Sequence, residues 1–249
     1  MTGRRWRTRR RAPLFVNVLP HSGGVLAVPV DQGGGLRNGD RHLQRIRIDG
    51  RAQATWAPPA STLCLPGAGE DPAHLQLVAT VRGASHLRLV GRPLIPFAGA
   101  AVVQSTVVGT DRDSACLLLE CGCPGRSQMG ETWAFRDLAY HLTVLRDGAV
   151  VYRERYRLHP PAVPLGPAGF GASLGWASCV AVGARAVAEL EALRPALAGT
   201  GVVSTYGLIA DDVAVARVLD RDGTLISSIA DLAVDAFRNG QPSGWEPAG

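Results

Sequence analysis

Apolar and polar positions alternate with a period of two along most of this chain, the mark of half-buried strands. Leu14 to Leu19 and Gly24 to Val30 make two such runs around a Pro20-His-Ser-Gly-Gly24 turn. His42 to Asp49 alternates cleanly, with Ile46 and Ile48 on one face and Arg45 and Arg47 on the other. Ala52 to Trp56, Leu75 to Val81 and Ala101 to Val108 read as further strands, and Ala115 to Glu120 is a short apolar burst. Leu87 and Leu89 alternate with His86 and Arg88. Thr132 to Leu145, then Arg146-Asp147-Gly148, then Ala149 to Leu158, predicts a hairpin on an Asp-Gly turn. On its second arm Val150, Tyr152, Tyr156 and Leu158 share one face and Arg153, Arg155 and Arg157 the other. Such an arginine row is most often a solvated face; a docking surface for an acidic partner is the alternative.

The period changes after a run of prolines and glycines from Pro160 to Gly169. Ser178 to Val182 is strand-like, and Ala184 to Ala198 is helical, with Val187, Leu190, Leu193 and Leu197 on one side and Pro195 kinking or ending it. Val202 to Tyr206 and Val213 to Leu219 are strands. Thr224 caps a second expected helix to Asn239, with Gly240 past its end. The fold class is therefore mainly β, with a C-terminal β-α-β-β-α segment carrying two helices. The organisation expected is a basic, disordered leader (1–12), a β body (13–160), a Pro/Gly linker (161–177), the C-terminal segment packed on the body (178–240) and an unstructured tail (241–249).

One stretch, Arg82 to Glu131, departs from plain alternation. Pro93 and Pro96 forbid a helix and remove ladder donors. Gly99 and Gly130 suit positive φ or close backbone approach. Glu120 closes a run of three leucines, where an unpaired carboxylate would be costly, and Arg126 is its nearest partner in sequence. Pro58-Pro59-Ala-Ser61-Thr62 makes a turn upstream.

Composition narrows the picture. At 249 residues and 26.2 kDa, with 46% hydrophobic residues and a mean hydropathy of +0.08, the chain can bury a real core. Thirty glycines and 17 prolines against 6% aromatics fit many short strands and turns. No stretch reaches the ~18 unbroken apolar residues of a membrane helix, so a soluble, cytoplasmic protein is expected. The net charge of +5 misleads, because six arginines lie between Arg4 and Arg11 and the remainder sums to −1. Nucleic-acid binding is therefore not expected of the body. Five cysteines without a signal segment fit a reducing compartment better than a disulfide scaffold.

Little in the residues advocates catalysis. The loop Gln32-Gly-Gly-Gly-Leu-Arg-Asn-Gly-Asp40 lacks the Gly-Lys-Ser/Thr and helix of a phosphate cradle. Gly171-Ala-Ser173-Leu-Gly175 matches a nucleophile elbow, yet no strand precedes it and no histidine follows His159. Cys121 and Cys123, with Cys116 upstream, could hold a soft metal ion, but two ligands do not make a site and free cysteines are more often buried hydrophobes. The histidines are scattered.

Arg92-Pro-Leu-Ile-Pro-Phe-Ala-Gly-Ala100, then Leu119-Glu120, Pro124-Gly125-Arg126 and Gly130-Glu131, resembles the urease accessory protein UreD (UreH) family. The same order runs upstream through Gly39-Asp40 and Pro58-Pro-Ala-Ser-Thr62, and downstream into Arg153-Glu-Arg-Tyr-Arg157. The resemblance implies a helix-poor protein with a β-helix-like body and two helices, without catalysis of its own. It implies a scaffold bridging the urease apoprotein and a UreF-like protein, which holds a UreG-like GTPase. Ni²⁺ then crosses as transient cargo, with no tightly bound cofactor. Carried over by position, Asp40, Ser61 and Glu131 line that passage, and Pro96, Phe97, Gly99, Glu120, Gly125, Arg126 and Gly130 set its shape. Three departures stand out: Leu89-Val90-Gly91 where the family has Trp-Leu-Pro, Asn38 in place of a glycine, and a shortened N-terminal region. The alternatives are a diverged copy with weakened function, or a stand-alone β-rich module binding metal through the thiols or nucleic acid through the arginine leader.

Overall fold

The computed structural model describes residues 7–9, 11–21, 24–160, 162–163, 169–197 and 202–223, with Ile226, Ser228, Asp231 and Val234. Two N-terminal strands, β1 (Leu14–His21) and β2 (Gly24–Asp31), pair antiparallel. From β2 onward the chain winds in coils of three strands. The first coil is β2, β3 (Leu36–Arg37) and β4 (Arg41–Ile48). The second is β5 (Gln53–Trp56), β6 (Thr62–Leu65) and β7 (Ala73–Val81), and the third β8 (His86–Val90), β9 (Leu94–Pro96) and β10 (Ala101–Thr110). The fourth starts on β11 (Ala115–Gly122) and replaces the short middle strand with a corner, β12 (Gly125–Arg126) and β13 (Glu131–Thr132), before β14 (Asp137–Arg146). Corresponding strands pair in parallel from coil to coil. This is the β-solenoid-like body that the family resemblance implies.

The rest closes the solenoid. β15 (Ala149–Leu158) folds back antiparallel on β14, and β16 (Gly175–Val182) lies antiparallel on β11. α1 (Ala184–Leu197) crosses the outside of that sheet, and β17 (Val202–Ala210) and β18 (Val213–Asp220) complete it in the order β16-β18-β17. The C-terminal strands thus extend the body's own sheet. α1 is the one helix longer than a turn among the described residues. The second helix expected over 224–239 falls outside them apart from four isolated positions, and the two-helix detail is not borne out. Much of the leader and linker and all of the tail likewise lie outside the described residues.

The stacking explains why no coil stands alone. Val25, Ala54, Leu87, Cys116, Val182 and Val213 occupy one continuous cross-strand register, each buried, so each coil covers the apolar row of the next. The turn between β14 and β15 places Asp147 and Gly148 at φ 49 and 83, both positive, as a two-residue hairpin requires. Val150, expected inward beside Tyr152, is instead exposed, because the ladder shifts register between Val144 and Leu145.

Outside the larger sheet, α1 buries Ala186, Val187, Leu190 and Leu197 against Leu117, Leu119, Cys179 and Ala216. A charged clamp fixes it there. Arg88, buried on β8, forks its Nε and Nη2 to Glu189 at 3.0 and 2.6 Å. His86 lies 3.3 Å from the same carboxylate. Burial first, then the Arg88 and Arg185 charges, push its pKa down to about 2, so its imidazole is neutral and not an ion-pair partner.

Removing one member of such a pair strands the other charge. Glu189→Ala is expected to cost about 2 kcal/mol in urea denaturation, below a fully buried pair because Glu189 keeps 20% side-chain exposure. Arg88→Met with Glu189→Leu should recover most of that loss. A single variant as stable as wild type would remove the clamp from the account.

Candidate functional site

Of the residues named by the family resemblance, Pro96, Phe97, Gly99, Gly125, Arg126, Gly130 and Glu131 form one corner of the solenoid, at the end of β9 and around β12 and β13. The Arg126 guanidinium lies 4.1 Å from the centre of the Phe97 ring and forks onto Glu131, its Nε at 2.9 Å from Oε2. That hydrogen-bonded guanidinium holds the Glu131 carboxyl below its usual range. Phe97 N donates to Cys64 O, and Gly99 N to Ala134 O. Gly125, at φ 128, could carry no Cβ, since one would sit 2.3 Å from Glu131 O. Gly130, left-handed at φ 73, ends the single 3-10 turn Ser127–Met129.

Asp40 is elsewhere, its Oδ2 accepting from Arg37 N at 2.7 Å, and Ser61 stands half-buried ahead of β6. No hydrogen bond or ion pair among the described residues joins Asp40, Ser61 and Glu131. Asn38, the departure from glycine, is used structurally: its Oδ1 accepts from Ala101 N at 2.9 Å. The expected pairing of Glu120 with Arg126 is not made, because β11 turns Glu120 inward while Arg126 belongs to the corner and to Glu131.

Between the two large sheets lies a cavity of ≈ 110 Å³, room for several waters at ~30 Å³ each. Apolar walls of Leu75, Leu77, Leu89 and Leu118 are interrupted by Asp31, His42, Gln44, Thr62, Arg92, Gln104, Thr106 and Glu120. Strand register puts these polar groups on neighbouring levels of the inner faces. His42, Leu75, Gln104, Tyr140 and Tyr156 form one row; Gln44, Leu77, Thr106, Leu142 and Glu154 form the next. On the facing sheet, Glu120, Ser178 and Arg217 form a third. At one end His42 Nδ1 is 3.8 Å from Asp31 Oδ2, with Asp31 partly exposed. At the other, Glu154 accepts from Ser178 Oγ (2.7 Å), Tyr152 OH (2.9 Å) and Arg217 Nε (3.1 Å), with Arg217 Nη2 2.9 Å from the same carboxylate as an ion pair. Arg217 is 56% exposed, so the polar track reaches solvent there.

Glu120 stands midway. Thr106 Oγ1 donates to its Oε1, and the carboxylate borders the cavity. Burial is the largest influence and Glu154's charge adds to it, while hydrogen bonds from Thr106 and Gln104 oppose them; the pKa is pushed up to about 7. The sequence offered the signal of a carboxylate after three leucines, but not its partners, which stand on β10 and β15.

The thiols offer a poorer metal site. Cys121 Sγ donates to Gly91 O (3.5 Å) and Cys123 Sγ contacts Leu94 O and Gly125 O at 3.6 and 3.4 Å. Burial raises both pKa values, keeping the neutral thiols rather than the thiolates a metal needs. No group of three or more His, Cys, Asp or Glu stands at metal-binding distance among the described residues.

Because Glu120 has its folded pKa raised from 4.5 to about 7, folding carries no ionisation penalty at this site while both states are protonated. Stability is therefore expected to fall as pH rises from 4.5 through about 7, by on the order of 3 kcal/mol in total. Glu120→Gln should abolish that fall, matching wild type near pH 4.5 and exceeding it at pH 8 in urea titrations. Parallel curves for the two proteins would refute the assignment.

The UreD urease accessory protein family model matches residues 3–245. Among curated relatives, the urease accessory protein UreD 2 of Streptomyces griseus is 29% identical over 234 residues, 91% of this chain and 79% of that protein. UreD of Opitutus terrae is 31% identical over 57% of this chain and 48% of its own length. UreD of Paracoccus denitrificans is 30% identical over 68% and 61%. The chain thus spans about half to four fifths of the length of these relatives. With the family model matched over nearly its whole length, this chain belongs to the UreD urease accessory protein family.

Proposed function

We propose that this protein is a non-catalytic scaffold of urease maturation that bridges the urease apoprotein and a UreF-like protein carrying a UreG-like GTPase, and gives Ni²⁺ a path between them. The observation that carries the reading is the internal polar track from Asp31 and His42, past Gln104, Thr106 and Glu120, to Glu154. Ni²⁺ as cargo has to shed waters to enter protein, and scattered oxygen donors replace them weakly enough to let it leave. A closed cage of thiolates would trap it. Glu120, poised near neutrality, can take the ion by losing a proton and release it by regaining one.

On this reading Glu120, His42 and Gln104 line the passage, while Asp40, Ser61 and Glu131 hold the corners that shape it. The cavity's carboxylate, imidazole, carboxamide and hydroxyl groups are spread along a path rather than gathered in one cage, which supports a conduit. The cytoplasm, where apo-urease is loaded, is the matching compartment.

The test is the nickel content of urease matured by co-expression with its accessory proteins. Glu120→Gln is expected to lower nickel per active site several-fold while the variant still co-elutes with its partners. Asp40→Ala with Glu131→Ala should lower it less. Full nickel loading by the Glu120 variant would end the assignment of the track.

A further inference from the structure

The outer face of the five-stranded sheet β4-β7-β10-β14-β15 has a charge pattern that the polar track does not use. Its outward positions form three rows across the strands. They read Arg41, His74, Val103, Ala139, Arg157; then Leu43, Gln76, Ser105, His141, Arg155; then Arg45, Val78, Val107, Thr143, Arg153. No carboxylate occurs in any row. Two arginine rails, on β4 and β15, flank a neutral strip and stand four strand spacings apart, about 19 Å. Along each rail alternate side chains recur every ~7 Å.

The rails are not consumed internally. Arg157 is paired with Asp137, but Arg41, Arg45, Arg153 and Arg155 are exposed and make no ion pair among the described residues. Leu43 and Val78 are exposed on the same face, at 44% and 38%. A groove of ≈ 470 Å³ on this face is lined by Val103, Asp137, Ala139, His141, Arg155 and Arg157, and its one carboxylate, Asp137, is taken up by Arg157. Arginine beside apolar positions is the composition of a protein interface, and guanidinium groups fork onto carboxylates. This polarity is segregated rather than general, because the chain outside its leader sums to −1.

We propose that this face is a docking surface for an acidic protein surface, whose carboxylates meet the two rails and whose apolar centre covers the strip. The inference rests on the scaffold reading above and names the face through which one partner is held. The chain's own arginine leader has the wrong sign to occupy it, and a second copy of the face would repel the first. The rows present strands rather than a helix for a duplex groove, and they carry no Phe, Tyr or Trp for stacking single strands.

The experiment co-expresses the tagged full chain with the urease subunits and accessory proteins of its source and measures co-elution at low and high salt. The variant is Arg45→Ser with Arg153→Ser and Arg155→Ser; these side chains have no internal ion pair, and circular dichroism checks the fold. A control replaces Arg82 and Arg112, away from the rows. The variant is expected to bind one partner at least about tenfold more weakly, and salt should weaken the wild-type complex alone. A variant that assembles like wild type overturns the docking face and leaves the scaffold standing. A wild-type chain that co-elutes with no partner overturns both. If the variant assembles normally but loses binding to a 30-nucleotide RNA that wild type retains, the face belongs to nucleic acid and the proposal is wrong.

Discussion

Parallel register from coil to coil is the constraint on which this molecule depends. A parallel strand cannot satisfy its backbone donors and acceptors within its own coil, so each coil hands them to the next and inherits its neighbour's side-chain level. The inward row running from Val25 to Val213 is the apolar outcome, a continuous wall to which six strands contribute one residue each. The same geometry acts on polar residues. Gln44, Thr106 and Glu154 are far apart in the chain but share one level of one sheet. A few inward polar positions therefore become a line through the molecule rather than isolated defects.

That line is tolerable because its members answer one another. Glu154 is surrounded by hydroxyl donors and one arginine, and ends in solvent through Arg217. Glu120 has hydroxyl and amide donors, and burial with the neighbouring negative charge of Glu154 outweighs them and drives it toward neutrality. Elsewhere the same fold spends its ion pairs on shape: Arg88 with Glu189 holds α1, and Arg126 with Glu131 holds the corner. The charged residues thus divide into those that fasten, those that line the interior and those left on the outer sheet face.

Several elements were legible from local pattern because their causes are local. Alternation marked the long strands, the Asp147-Gly148 pair marked the hairpin, and the apolar spacing of Val187, Leu190 and Leu197 marked α1. The two- and four-residue strands β3 and β6 were not legible, since so short a run has no period of its own. They exist because the coils above and below offer them ladders.

What the chain determined by itself was, for most strands, which residues face in and which face out, together with turns such as Asp147-Gly148, because steric and hydrophobic preferences act over a few positions. His86 and Arg88, on β8, which is buried on both faces, and Val150, turned outward, are the exceptions. Which inward residues meet was decided only by the tertiary structure. Glu120 found Thr106 on β10 rather than Arg126 six residues on, and Arg126 found Glu131. A pairing across coils depends on the register of strands ten to thirty residues apart, and no local periodicity encodes that register.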